Sequence, residues 1–285
     1  MLIVLVVVVA CGPQESTQPG GSDAGTQSKL SDPTGFFAGE ELREIAEFGP
    51  LGEPPSDPTN QYADDPDAAH FGQFLFYETK LSGDGSVSCA SCHQPDHGFA
   101  DPKRRSEGLG KTARHAPTLL NTSYNRWYFW DGRADSTWAQ VHSPMEAPNE
   151  QGISRLEIAH VLGENVELKN AYETIFGPLP ELSETDRFPE QGRPVPDDPD
   201  HPEHQAWMSM RQQDRRAVNR VMANVGKAIG AFERKLVSGN APFDTFMRGL
   251  REGDAEKVDA LSKSAKRGLR LFVGRADCKI GRAHV

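Results

Sequence analysis

The chain has no hydrophobic run of membrane-spanning length, no basic stripe and few cysteines. Its one long apolar run, Leu2 to Ala10, has nine residues, against the roughly 20 that a spanning helix requires. Basic residues are outnumbered, with 31 Lys and Arg against 41 Asp and Glu over 285 residues, for a net charge of −10. Attraction to phosphate needs a basic surface, and Lys103-Arg104-Arg105 is too short to supply one, so no nucleic acid is expected as a partner. The four cysteines, Cys11, Cys89, Cys92 and Cys278, are too few for a stapled scaffold. No stretch alternates apolar and polar residues as a half-buried strand does, which argues against a sheet.

What stands at the N-terminus reads as a targeting segment. Leu2 to Ala10 has the length of a secretory core, and Val8-Val9-Ala10-Cys11 resembles a bacterial lipoprotein signal, with a small residue before the cysteine that carries lipid. A buried strand is the competing reading, and a basic segment ahead of the apolar run is missing. Residues 12–34 are rich in Gly, Ser, Gln, Pro and Thr, as a flexible tether is. The expectation is therefore a signal over 1–11, a linker over 12–34, and a periplasmic protein with a lipid anchor at Cys11. Three cysteines then remain, an odd number that excludes a complete disulfide framework.

Cys89-Ala90-Ser91-Cys92-His93 is the attachment pattern of a c-type haem. Two thiols three residues apart can add to the two vinyl groups of one porphyrin, and the next residue then lies under the ring with an imidazole nitrogen toward iron. A redox Cys-x-x-Cys does not need the histidine, and half of a zinc site needs a second pair of ligands. A weak internal repeat places Gly268-Leu269-Arg270-Leu271-Phe272 before Cys278 much as Gly72-Gln73-Phe74-Leu75-Phe76 precedes Cys89. Cys278 is thus expected to open a second attachment motif, although Gly281 and Arg282 stand where Cys and His are required. Residues 280–285 read as translated sequencing adapter, so His284 is not a ligand candidate. As written, the chain completes one covalent haem attachment and is not expected to be a fully active enzyme alone.

Apolar residues recur at helical spacing around these motifs. Ser154-Arg155-Leu156-Glu157 is a capping box, Leu168, Tyr172, Ile175 and Phe176 share a face closed by Gly177, and Val221, Val225, Ile229, Phe232 and Leu236 line a long helix. Residues 177–206 hold seven prolines and many acids and read as an exposed insertion or a connection between domains. The expected fold is mainly α, with two cytochrome c-like haem domains, 35–165 and 166–279, the second incomplete.

Over residues 66–279 the chain resembles the bacterial di-haem cytochrome c peroxidases and their MauG-like relatives. The resemblance rests on Gly72 to Ser82, Cys89 to Phe99, Ala116 to Asn121, Phe129-Trp130-Asp131-Gly132-Arg133, and Ala228 to Ser238 followed by Pro242-Phe243-Asp244. It implies His93 as the proximal ligand of the peroxide-reacting haem iron, Trp130 between two haems, and Gln140 and Glu150 on the distal side. Glu150 is there to move a proton between the two peroxide oxygens, with Glu146 as the local rival. Many members block this iron with a second histidine, whose place falls near Glu107 and Gly108. Its absence implies a five-coordinate or water-bound iron, with His97 and His115 as polar loop residues. The family's calcium asparagine is replaced by His115, a poor calcium donor, so calcium is a weaker expectation than haem c. The implied reaction reduces hydrogen peroxide with electrons from a small cytochrome c or a cupredoxin. The alternatives are oxidation of a protein side chain, as MauG performs, or a non-catalytic electron carrier. A homodimer is left open.

Overall fold

The computed structural model describes residues 30–49, 51–276 and 278. The expected signal, the lipidated Cys11, residues 12–29 of the linker and residues 280–285 lie outside them. Among the described residues the secondary structure is helical, with only isolated bridges such as Gln94–Ala100 in place of strands. The chain divides into two units, residues 51–241 and residues 30–49 together with 242–276.

The smaller unit pairs distant parts of the sequence. Helix α1 (Glu40–Ala46) supplies Ile45, and the preceding loop supplies Phe37. Both are buried with residues that lie two hundred positions later, Phe246, Met247, Leu250, Val258 and Val273. In the larger unit, α2 (Pro66–Tyr77) starts on Pro66, with the Asp65 carboxylate accepting from the Asp67 and Ala68 amides, the ordinary way to satisfy a free helix start. The one-turn helix α3 (Cys89–Cys92) follows, then α4 (Thr137–Glu146), α5 (Arg155–Glu164), α6 (Val166–Phe176), α7 (Pro202–Ser209) and α8 (Gln212–Glu233). The smaller unit resumes with α9 (Pro242–Glu252), α10 (Ala255–Val258) and α11 (Lys263–Val273).

Helix α8 is the axis of the larger unit because two of its faces carry small residues. A Cβ on Gly72 of α2 would lie 1.9 Å from the Ala228 carbonyl oxygen, and one on Gly226 would lie 2.5 Å from the Trp138 carbonyl oxygen of α4. Glycine at each position lets backbone meet backbone. Val218, Val221, Met222, Val225, Ile229 and Phe232 then fill the core with Phe71, Leu75 and Phe76 from α2, Val141 and Met145 from α4, and Leu156, Ile158 and Leu162 from α5.

Two expectations about organisation are corrected. The division falls at 241/242 and not at 165/166, since α6, α7 and α8 share the core of α2 to α5, while residues 35–49 belong with α9 to α11. The proline-rich stretch is also no exposed connection. Leu182 and Phe188 are buried in that core, and the Arg187 guanidinium meets the buried Asp214 carboxylate at 2.6 Å. Gly192 donates its amide to Ser154 Oγ at 3.0 Å and accepts from the Leu156 amide, so the segment is tied to the start of α5.

Candidate haem site

The Cys89–Cys92 turn is prepared by local hydrogen bonds. Ser88 and Ser91 form a capping box at the start of α3, the Ser91 hydroxyl accepting from the Ser88 amide at 3.0 Å, and the Asp84 carboxylate accepts from the Ser86 amide and hydroxyl. A single helical turn places Cys89 and Cys92 on one side of the chain. His93 closes it, donating its amide to the Cys89 carbonyl at 2.9 Å.

The imidazole of His93 is oriented from one edge. Its Nδ1 lies 3.1 Å from the Phe99 carbonyl oxygen and 3.0 Å from that of Pro117. Both are acceptors, so Nδ1 carries the hydrogen and the lone pair is on Nε2, the tautomer that a metal-ligating histidine adopts. Phe99 reaches this position through a left-handed backbone, φ 56°. Leu119 donates its amide back to the Phe99 carbonyl at 3.2 Å, and Asp101 donates to that of Ala116. The Ala116 to Asn121 segment thus has a structural task, since Pro117 holds the histidine. Burial keeps the imidazole pKa below its ordinary value, against the pull of the two carbonyls, which favours the neutral, ligating form.

Neither thiol of the pair is in a disulfide. Burial and the nearby charge of Glu233 push the Cys89 thiol up to about 12, and burial with the charges of Asp101 and Glu150 raises that of Cys92. Redox-active pairs show the opposite shift. Among the described residues no group of three or more His, Cys, Asp and Glu side chains could hold a metal ion, so nothing there completes a zinc site around the pair. Two reduced thiols on one turn and an imidazole with its outer nitrogen bare are the donor set that haem c requires, and the residues fit the group.

Glu150 and Gln151 flank these cysteines on the loop after α4. The loop is fixed by backbone: Leu109 donates its amide to the Glu150 carbonyl at 2.9 Å, and Gly110 donates to that of Asn149 at 3.1 Å. A Cβ on Gly108 would lie 2.5 Å from the Glu150 carbonyl oxygen, so the two loop segments touch at their backbones. The half-buried Glu150 carboxyl is held above its ordinary pKa by burial, opposed by the charge of Arg133. Gln151, which the sequence gave no reason to single out, is buried, donates Nε2 to the Leu81 carbonyl at 2.8 Å, and offers Oε1 to the Cys89 thiol at 3.7 Å. A glutamine beside a chosen glutamate carries no sequence signal of its own.

The other expected residues are less closely gathered. Glu146 is bound by Arg155 through two bonds of 2.7 and 2.8 Å, which leaves Glu150 as the uncommitted carboxylate of the two. Gln140 is half-buried on α4, and among the described residues no hydrogen bond joins its side chain to the cysteines, His93 or Glu150. Trp130 is 90% exposed at a loop tip and does not pack on them. His97, His115 and Cys278 are exposed. Glu107 is also exposed and pairs with Lys103 at 2.7 Å.

Residues 66–252 match the family described as di-haem cytochrome c peroxidase. The chain is 31% identical over 215 residues to the methylamine utilization protein MauG of Methylorubrum extorquens, covering 75% of this chain and 48% of that protein. It is 28% identical to the cytochrome c551 peroxidase of Pseudomonas aeruginosa over 71% of this chain and 46% of that one. The chain spans about half the length of the curated relatives it matches. Among solved structures, the diheme peroxidase BthA of Burkholderia thailandensis superposes with a TM-score of 0.56 at 24% identity, over 81% of this chain and 52% of that one. A MauG-like protein associated with microbial copper homeostasis gives 0.56 at 23%, over 80% and 55%. With the family's residues matched across most of its length and the haem-attachment turn built as described, this chain belongs to the di-haem cytochrome c peroxidase family.

Proposed function

We propose that the larger unit is the peroxide-reacting haem domain of an enzyme that reduces hydrogen peroxide to water, taking electrons from a small periplasmic redox protein such as a cytochrome c or a cupredoxin. The observation that carries this reading is the pairing of a ligand-ready His93 with an uncommitted, half-buried Glu150 near the Cys92 thiol. An electron carrier has no use for such a carboxyl.

Haem c, which Cys89 and Cys92 would attach and His93 would ligate through Nε2, would supply a redox-active iron for the reaction with peroxide. Glu150 would accept a proton from peroxide and return it to the departing oxygen, so that with two electrons and two protons in all one peroxide gives two waters. Its burial holds the carboxyl pKa above the ordinary value, against the charge of Arg133, the direction that suits a group that returns the proton it takes. Gln140 serves beside it as a neutral hydrogen-bonding group. Trp130 would take part in electron transfer toward a second haem, to which Cys278 is assigned. With Glu107 and Gly108 where the family's blocking histidine falls, an iron held by His93 would be reached by peroxide without prior reduction of a partner haem. Localisation outside the cytoplasm, with lipid on Cys11, belongs to the same reading, and calcium near His115 is its least supported part.

A second reading, oxidation of a protein side chain, is favoured by the similarity to MauG. Peroxide-dependent oxidation of reduced cytochrome c, measured with the full-length product of the gene and its Glu150→Gln variant, separates the readings. Turnover that the variant loses supports peroxidase chemistry. Wild-type inactivity toward every small donor, with consumption of peroxide retained, supports the side-chain oxidase; inactivity toward peroxide itself supports a carrier.

A further inference from the structure

Gln151 is a buried polar side chain that the proposed mechanism does not use. It is 5% exposed and follows Glu150 directly in the loop after α4. A buried amide must place both a donor and an acceptor, and this one places them on the segment that leads into α3. Nε2 donates to the Leu81 carbonyl at 2.8 Å, and Oε1 accepts from the Cys89 thiol at 3.7 Å. The backbone adds two further bonds: Gly83 donates its amide to the Gln151 carbonyl at 2.8 Å, and Gln151 donates its own to the Pro144 carbonyl of α4 at 3.1 Å.

These bonds belong to a clamp that joins the loop of Glu150 to both cysteines of the attachment turn. Toward Cys89 the clamp is stiffened by Ser82, whose hydroxyl accepts from the Val87 amide at 3.2 Å and donates to the Thr79 carbonyl at 2.8 Å. Residues 81–83 and the residues just before Cys89 are thereby held as one piece. Toward Cys92 the clamp runs through a second loop, since the Cys92 thiol reaches the Glu107 carbonyl at 3.9 Å and Leu109 donates its amide to the Glu150 carbonyl at 2.9 Å. That second route meets residue 150 through backbone alone, whereas the first depends on which side chain stands at 151. Thioether formation removes the hydrogen from the Cys89 sulfur and leaves the Leu81 and Gly83 bonds in place.

We propose that Gln151 is a positioning residue for the peroxide reaction, its side-chain amide, held between the Leu81 carbonyl and Cys89, setting where the Glu150 carboxyl stands relative to the attachment turn. This rests on the role of Glu150 proposed above. Gln151 takes no proton itself and acts only through its neighbour. Proton transfer needs the carboxyl within hydrogen-bond reach of the peroxide oxygens, and a misplacement of about 1 Å costs on the order of 100-fold in rate. An apolar side chain at 151 takes away the amide's bonds and leaves the fully buried Leu81 carbonyl without that donor, so the loop that carries Glu150 has to shift before the carbonyl finds another.

The test is a double-mutant cycle in the full-length holoprotein, with the rate of reaction with hydrogen peroxide against pH, a pyridine haemochrome assay and a urea melt on each member. Gln151→Met keeps the length of the side chain and loses its amide. The expected result is wild-type haem content, a rate lower by about 10- to 100-fold, and loss of the acid limb that Glu150 gives the pH–rate profile. Added to Glu150→Gln, the same substitution costs nothing more. An unchanged rate, an acid limb like that of the wild type, or an equal loss in both backgrounds overturns the proposal and leaves the Glu150 reading intact. Loss of attached haem places Gln151 in attachment and overturns it as well. Full activity in Glu150→Gln overturns both readings. Should Gln151→Met fail to fold, Gln151→Asn, whose shorter side chain does not span Leu81 and Cys89, replaces it in the cycle. A loss confined to the chain that keeps Glu150 then supports the proposal, and an equal loss in both backgrounds overturns it.

Discussion

The Pro117 carbonyl oxygen lies 3.0 Å from Nδ1 of His93 and, with the Phe99 carbonyl, determines which ring nitrogen is free. That relationship separates the thioether bonds from the axial bond. His93→Ala is expected to keep haem attached, since Cys89 and Cys92 are untouched, while the spectrum changes from that of an imidazole-bound iron. Pyridine haemochrome content near that of the wild type, with a shifted Soret band and loss of peroxide reactivity, is the expected outcome. Loss of covalent haem would place His93 in attachment.

Glu146 and Glu150 stand four residues apart, yet they differ in what they touch. Glu146→Gln breaks a largely buried, two-bond pair with Arg155 and is expected to cost about 1–3 kcal/mol of stability, with peroxide chemistry retained. Glu150→Gln is expected to do the reverse. The wild-type rate should also fall as pH drops through a value above the ordinary glutamate pKa of 4.5, because burial raises this carboxyl and protonation removes the base. A Glu150→Gln enzyme with the same acid limb would assign that limb to another group. Urea melts and pH–rate profiles measure the two effects.

The contacts of Gly72 and Gly268 contrast the two halves of the internal repeat. Gly72→Ala puts a Cβ 1.9 Å from the Ala228 carbonyl oxygen, whereas nothing lies within 4 Å of a Cβ on Gly268. The first is expected to destabilise by about 3 kcal/mol or more, since backbone must move. The second is expected to stabilise by about 0.5–1 kcal/mol through helix propensity alone. Urea denaturation of the two variants checks the pair.

Helix existence was readable because α5, α6 and α8 carry long periodic stripes and, in α5, a capping box that the structure keeps. The two-unit division was not, because Phe37 and Ile45 find their partners near residues 246–273 and nothing local announces a contact across two hundred positions. The segment 177–206 misled for a related reason: Leu182 and Phe188 stand alone among prolines and acids, with no period to reveal that they are buried. Within the site, Cys-x-x-Cys-His was legible from spacing. Glu233 was legible only as a polar residue at the next step of the Val225 and Ile229 stripe, a signal that a search for chemical motifs passes over.

Phe188 tests that correction directly. It is 1% exposed, so Phe188→Ala is expected to cost about 3–5 kcal/mol if the proline-rich segment is part of the core, and almost nothing if it is a surface connection. Equilibrium unfolding in urea distinguishes the outcomes by the shift in midpoint.

The carboxyl of Glu233, 5% exposed at the end of α8, gives the fold a pH dependence of its own. A carboxyl whose folded pKa is about 8, against an unfolded value near 4.5, binds a proton more tightly in the folded chain. The stability it confers is complete below the unfolded pKa and is lost as pH rises through the folded one. Unfolding free energy should therefore decline from about pH 4.5 to about pH 8 by more in the wild type than in Glu233→Gln, which has no proton to lose there. The Asp214 carboxylate, held below its ordinary pKa by Arg187, acts with the opposite sign and weakens the fold only as pH falls through its lowered pKa. The two groups thus occupy separate windows, and a stability profile measured on both sides of pH 4.5 distinguishes them without reference to catalysis.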